Sequence, residues 1–81
     1  MKALNDLKVG ESGIVQKILT KGNMRRRFID IGLIEGSSIE CVGVSPFGSP
    51  KAYLIKGAVI AIRKNDCADI FISKRGGLNE I

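Results

Sequence analysis

The sequence predicts a mainly β domain, a small barrel or sandwich of about five short strands with one short helix among them. Three observations point there. Turn signals recur at close intervals, as in VGES, TKGN, DIGL, IEGS, SPFGSP, KGAV, RKND and RGG. Short runs rich in β-branched residues lie between them. The chain has 81 residues, ten of them glycine, which allows one domain with a small core and many tight turns.

The first strand is SGIVQKIL at 12–19. A helix follows over 23–31. At ~100° per residue Met24, Phe28 and Ile31 fall on one narrow apolar stripe, suited to cover one end of a barrel. Gly32 then sits just past the helix, where the left-handed conformation suits glycine, and Leu33 folds back on Phe28. Gly36 marks a second turn. The next strands are SSIECVGV at 37–44, AYLIK at 52–56, VIAIR at 59–63 and IFIS at 70–73. The expected domain spans 1–74, and KRGGLNEI leads into a flexible tail at 75–81.

The hairpin AYLIKGAVIAIR predicts a two-residue turn at Gly57-Ala58. Ile55 then opposes Ile60, Leu54 opposes Ala61, and Tyr53 opposes Ile62. Tyr53, Ile55, Ile60 and Ile62 share an inward face. Leu54, Val59 and Ala61 share the outer one, where polar residues are the usual choice. They are candidates for a contact patch; scattered surface apolars are the plainer reading.

The run RRRF raises a second candidate. Consecutive helical residues fan Arg25, Arg26 and Arg27 over about 200°, so they cannot converge on one phosphate. Arg26 points away from the apolar stripe, four residues before Asp30. Arg25 and Arg27 flank the stripe and can lay their stems along its edges. They suit the rim of a protein interface, where arginine is enriched. A solvated, charge-rich helix is the alternative.

Composition removes several functions. The chain has no histidine, so the commonest general base is missing, and its carboxylates are scattered among turns. No P-loop or dinucleotide motif occurs. This excludes no binding role, but it points away from an enzyme. Cys41 and Cys67 form no CxxC pair. They read as small buried residues rather than ligands, and no metal or cofactor site is expected. The net charge of +5 favours acidic partners. Nonspecific nucleic-acid binding is an alternative, although exposed aromatics for base stacking are scarce. The longest apolar run, AVIAI, is far too short to span a bilayer, and no apolar leader is visible. The chain reads as cytoplasmic.

Taken in order, LKVGESGIV, RRRFIDIGLIEGSSIE and PFGSPKAYLIKGAVIAIRKNDCADIFI resemble the ferrous iron transport protein A (FeoA) family, from about Leu4 to Ser73. The ordered set carries the resemblance: the arginine-rich helix, GL, two residues and then G, PFGSP, and G-x-x-I-A-I-R. It implies an SH3-like β-barrel with one inserted helix. It also implies a small cytosolic accessory of bacterial ferrous iron uptake that docks on the cytoplasmic part of a FeoB-type membrane transporter. Most positions carried by the motifs, such as Gly36, Pro46, Gly48 and Gly57, read as fold determinants. Glu35 stands where that turn often has proline. The expected partner surface is Arg25, Arg26, Arg27, Leu54, Val59 and Ala61. Weak self-association and a metal-binding regulatory role are further alternatives.

Overall fold

The computed structural model describes residues 2–74, so the expected tail at 75–81 lies outside the described residues. Strand β1 (Lys2–Ala3) leads into a 310 turn at Leu4–Asp6. Then come β2 (Ser12–Ile18), α1 (Gly22–Asp30), β3 (Ser38–Val44), β4 (Lys51–Ile55), β5 (Ala58–Ile62), α2 (Lys64–Cys67) and β6 (Ile70–Lys74). The strands form one antiparallel sheet in the order β1-β6-β2-β3-β4-β5. All five expected strands are present within about a residue at each end. The sixth, β1, pairs Lys2 with Ile72 and Ala3 with Phe71. Two residues are too few to show a period, which is why it escapes a sequence reading. The turn KNDCAD contains the single helical turn α2.

Two bulges curl the sheet. The register shifts between Val15 and Lys17 on β2, and between Cys41 and Gly43 on β3. Each leaves one residue unpaired and bends its strand. The first bulge explains why Val15 and Ile18 are both buried although three positions apart. Inward side chains of β2 to β6 meet Leu4, Leu7, Phe28, Leu33 and Cys67 in one core cluster. Met24 and Ile31 pack against its edge, so α1 covers the barrel with the expected stripe.

The helix stops as its sequence requires. Leu33 N–H donates to the Phe28 carbonyl at 2.8 Å and Gly32 N–H to the Ile29 carbonyl at 3.0 Å, the paired bonds of a Schellman ending. Gly32 has φ +90°, and a Cβ there would lie 3.0 Å from Lys56 Cγ. Gly32→Val should therefore cost more than ~1 kcal/mol, read as a melting temperature lowered by at least ~4 °C. An unchanged melting temperature would mean that the turn tolerates a side chain.

The hairpin corrects the expected register. The turn is Lys56-Gly57, both with left-handed φ (52° and 83°), and it joins the pair Ile55–Ala58. Two left-handed residues make a type I′ turn, whose twist matches the flanking strands well enough to hold a lysine in that region. Leu54 therefore faces Val59 rather than Ala61, and Tyr53 faces Ile60 rather than Ile62. Sliding a two-residue turn by one position changes every pairing by two residues. Because side chains alternate with period two, the faces survive the error.

Candidate functional site

The three arginines end in different surroundings. Arg25 is half-buried, and its Nη1 donates to the Ile18 carbonyl at 2.9 Å and to the Thr20 carbonyl at 3.5 Å. It clamps α1 onto the end of β2, so the fold uses a guanidinium that the sequence assigned to a partner. Arg26 and Arg27 are exposed. Among the described residues their guanidinium groups have no hydrogen-bond or ion-pair partner, and the spacing of Arg26 and Asp30 closes no ion pair.

Arg27 faces a groove of ≈ 340 Å³ between α1 and β5. Met24, Phe28 and Ile31 line it from the helix, and Ile60 and Ile62 from the strand. Arg27, Arg63 and Asp66 are its charged members. Ala61 lines it as well. The sequence separates the arginine rim from the apolar face; the structure joins them along this edge.

On the outer face of the hairpin Leu54 is half-buried, Val59 is 62% exposed and Ala61 is exposed. Leu54 and Val59 are direct cross-strand neighbours. The three residues thus lie on one surface, as alternation requires, with Glu40 beside Leu54 on β3.

Phe47, a lone loop aromatic in the sequence, lies outside the expected partner surface. It is 95% exposed, more than any other large apolar side chain described. Its loop is well tied. Ser45 N–H donates to the Pro50 carbonyl at 3.1 Å, Gly48 N–H to the Ser45 carbonyl at 2.9 Å, and Ser45 Oγ to the Ser49 carbonyl at 2.6 Å. Lys64 N–H donates to Ser49 Oγ at 3.1 Å, fastening the loop to α2. A rigidly held, exposed aromatic is a common interface anchor. The available signal was an aromatic enclosed by turn formers in SPFGSP, with no strand or helix to turn it inward.

The thiols belong to the core. Cys41 Sγ donates weakly to the Gly43 carbonyl at 3.7 Å. Cys67 Sγ lies 3.5 Å from Tyr53 Oη and 3.8 Å from the Ile62 carbonyl. Among the described residues no three His, Cys, Asp or Glu side chains gather closely enough to hold a metal ion. Lys51 Nζ donates to the carbonyls of Asn5 (2.7 Å) and Leu7 (2.9 Å), pinning the segment after β1.

Burial pushes the Tyr53 phenol far above its ordinary range, with the Cys67 hydrogen bond adding to the rise. Burial also raises the Cys67 thiol, partly offset by the Tyr53 hydrogen bond and the Lys51 charge. Both groups hold their protons more tightly folded than unfolded. The stability they contribute is complete below the unfolded thiol value near ~8.5 and is lost as pH rises above it, with tyrosine joining from ~10. Thermal melts from pH 7 to 10.5 should show a fall beginning near pH 8.5, at most ~1.4 kcal/mol per pH unit for each group. Cys67→Ala should remove the earlier limb. A flat profile in the parent protein would show that the thiol ionises freely in the fold.

Sheet order, bulges and the barrel-capping helix define an SH3-like β domain. The chain belongs to the FeoA domain family, whose model matches residues 2–74. A curated relative, the Fe(2+) transport protein A/Fe(2+) transporter FeoB fusion protein of Porphyromonas gingivalis, is 27% identical over 67 residues, or 83% of this chain. This chain spans only 8% of that protein's length. Iron(II) transport protein A from Clostridium thermocellum has a solution structure similar at TM-score 0.88 and 27% identity, over 93% of this chain and 46% of that one. FeoA of Stenotrophomonas maltophilia complexed with zinc, described as a prokaryotic SH3 domain protein, matches at TM-score 0.74 over 90% of this chain and 91% of that one. At 19% identity that likeness concerns the fold alone. No described helix is long and apolar enough to cross a membrane.

Proposed function

We propose that this domain is a non-enzymatic accessory of ferrous iron uptake that docks on the cytoplasmic part of a FeoB-type transporter. One observation carries the reading: the P. gingivalis relative has a matching segment in the same polypeptide as a FeoB transporter. Fusion raises the effective concentration of two modules that act together, and separate chains achieve the same through a dedicated contact surface. The domain acts by binding one transporter conformation or assembly better than another, since only differential affinity shifts such an equilibrium. Arg26 and Arg27 supply the charged rim. Leu54, Val59, Ala61 and Phe47 supply apolar contact.

The test is binding of the purified domain to a detergent-solubilised FeoB-type transporter, followed by interferometry. Arg26→Glu with Arg27→Glu should slow association about tenfold at low salt, because rim charges act mainly on the on-rate. Leu54→Asp should instead speed dissociation, since it removes buried apolar contact. Both variants should melt like the parent protein, as none of the three side chains belongs to the core cluster. Absence of any transporter binding defeats the proposal. If nucleic acid is then bound with a log–log salt slope of ~0.7–0.9 per phosphate contact, the charge serves that partner instead.

A further inference from the structure

Strand β5 is an edge. It pairs with β4 alone among the described residues and ends the strand order. The pair Ile55–Ala58 closes a two-residue turn, so it exchanges both of its main-chain bonds, and so do Tyr53–Ile60 and Lys51–Ile62. The alternate residues Val59 and Ala61 therefore turn their N–H and C=O groups away from β4. The groove beside β5 is lined by four consecutive residues, Ile60 to Arg63. Side chains of consecutive strand residues point to opposite faces, so a cleft that meets Ile60, Ala61 and Ile62 of β5 alike runs along the strand's open edge. Its far wall is the apolar stripe of α1, Met24, Ile31 and the buried Phe28.

From this we infer that the groove between α1 and β5 accepts an extended, partly acidic segment of the partner transporter as an added strand. The inference deepens the docking reading and rests on it for the source of the segment. Main-chain bonds to Val59 and Ala61 would set the register, and alternate apolar side chains would enter between Met24, Ile31 and Ile60, as strand addition works elsewhere. The charge of the groove selects the partner. Arg27 and Arg63 both line it and have no side-chain partner among the described residues; Asp66 opposes them. Acidic residues of the incoming segment would complete these cations. A second copy is a poor occupant, because antiparallel β5–β5 pairing would bring Arg27 and Arg63 of both copies to one seam.

The experiment uses a blocked ten-residue peptide alternating valine with glutamate as the probe, and its lysine counterpart. Amide resonances of the labelled domain are followed on titration. Expected are shifts concentrated at 59–63 and along 24–31, with the lysine peptide binding at least tenfold more weakly. Ala61→Pro removes an outward-facing N–H without breaking a β4–β5 bond, as an edge strand tolerates, and should weaken the glutamate peptide at least tenfold. Arg27→Glu with Arg63→Glu should do the same, which keeps the test decisive if the proline variant does not fold. Shifts confined to other surfaces, equal binding of both peptides, or dimerisation through β5 without peptide would overturn the inference. The transporter separates the two proposals. If it binds the parent and Ala61→Pro equally, the groove is wrong and docking stands. If it binds neither while the peptide still adds to β5, docking falls and the strand-accepting groove remains.

Discussion

Gly13→Val is expected to lower the melting temperature by more than about 10 °C, or to leave the domain unfolded at room temperature. Gly13 is buried on β2 between two neighbours, pairing with Lys74 of β6 and Ile39 of β3. A Cβ built on it would lie 2.7 Å from the Ser73 carbonyl oxygen and 3.1 Å from Ile72 Cδ1. The first obstacle is main chain. It cannot step aside without opening the β2–β6 ladder, and β6 also carries β1. Overpacking a tight interior usually costs ~1–3 kcal/mol, and valine against a fixed carbonyl belongs at or beyond the top of that range. A domain of this size has only ~4–12 kcal/mol in total. Gly13→Ala is the graded control, with a smaller loss of the same sign. Melting of Gly13→Val within a few degrees of the parent would show that the two strands can part locally at little cost.

Tyr53→Ala should be at least as damaging, at about 3–5 kcal/mol. Tyr53 has no exposed surface and is the largest fully buried side chain among the described residues. It stands opposite Cys41 on β3 and Ile60 on β5, so its ring spans the middle of the barrel. Its hydroxyl donates to the Leu4 carbonyl at 3.4 Å and meets Cys67 Sγ at 3.5 Å, which ties the first turn to α2. Tyr53→Phe keeps the ring and loses only the hydroxyl contacts, at about 1 kcal/mol. Denaturant titration of the pair separates the two contributions. Equal losses for alanine and phenylalanine would mean that the hydroxyl bonds, not the ring, hold this region.

Much of the fold was legible because it is written in short-range periodicity. Tyr53 and Ile55 point inward and Leu54, Val59 and Ala61 outward because strand side chains alternate, and even a misplaced turn preserved that parity. Met24, Phe28 and Ile31 declared the covered face of α1. Gly32 and Leu33 declared its end, because a Schellman stop needs only residues within one turn of each other.

The candidate surface was less legible. Arg25 looked as free as Arg27, because both flank the apolar stripe and nothing in RRR tells which guanidinium will meet the carbonyls of Ile18 and Thr20. Phe47 lay in plain view as a loop aromatic, but its near-complete exposure depends on how Ser45, Ser49 and Lys64 tie the loop.

The sequence by itself determined the mainly β class, the strand faces, the helix and its stop, and the resemblance to a family. Each follows from residues a few positions apart, whose relative placement is set by backbone geometry. Tertiary structure alone decided that Gly13 must be glycine, that Lys51 reaches back 46 positions to the Asn5 carbonyl, and that Arg27 and Ala61 share one groove. Those encounters join segments far apart in the chain. No local propensity encodes them; they exist only once the packed core has brought strand edge and helix face together.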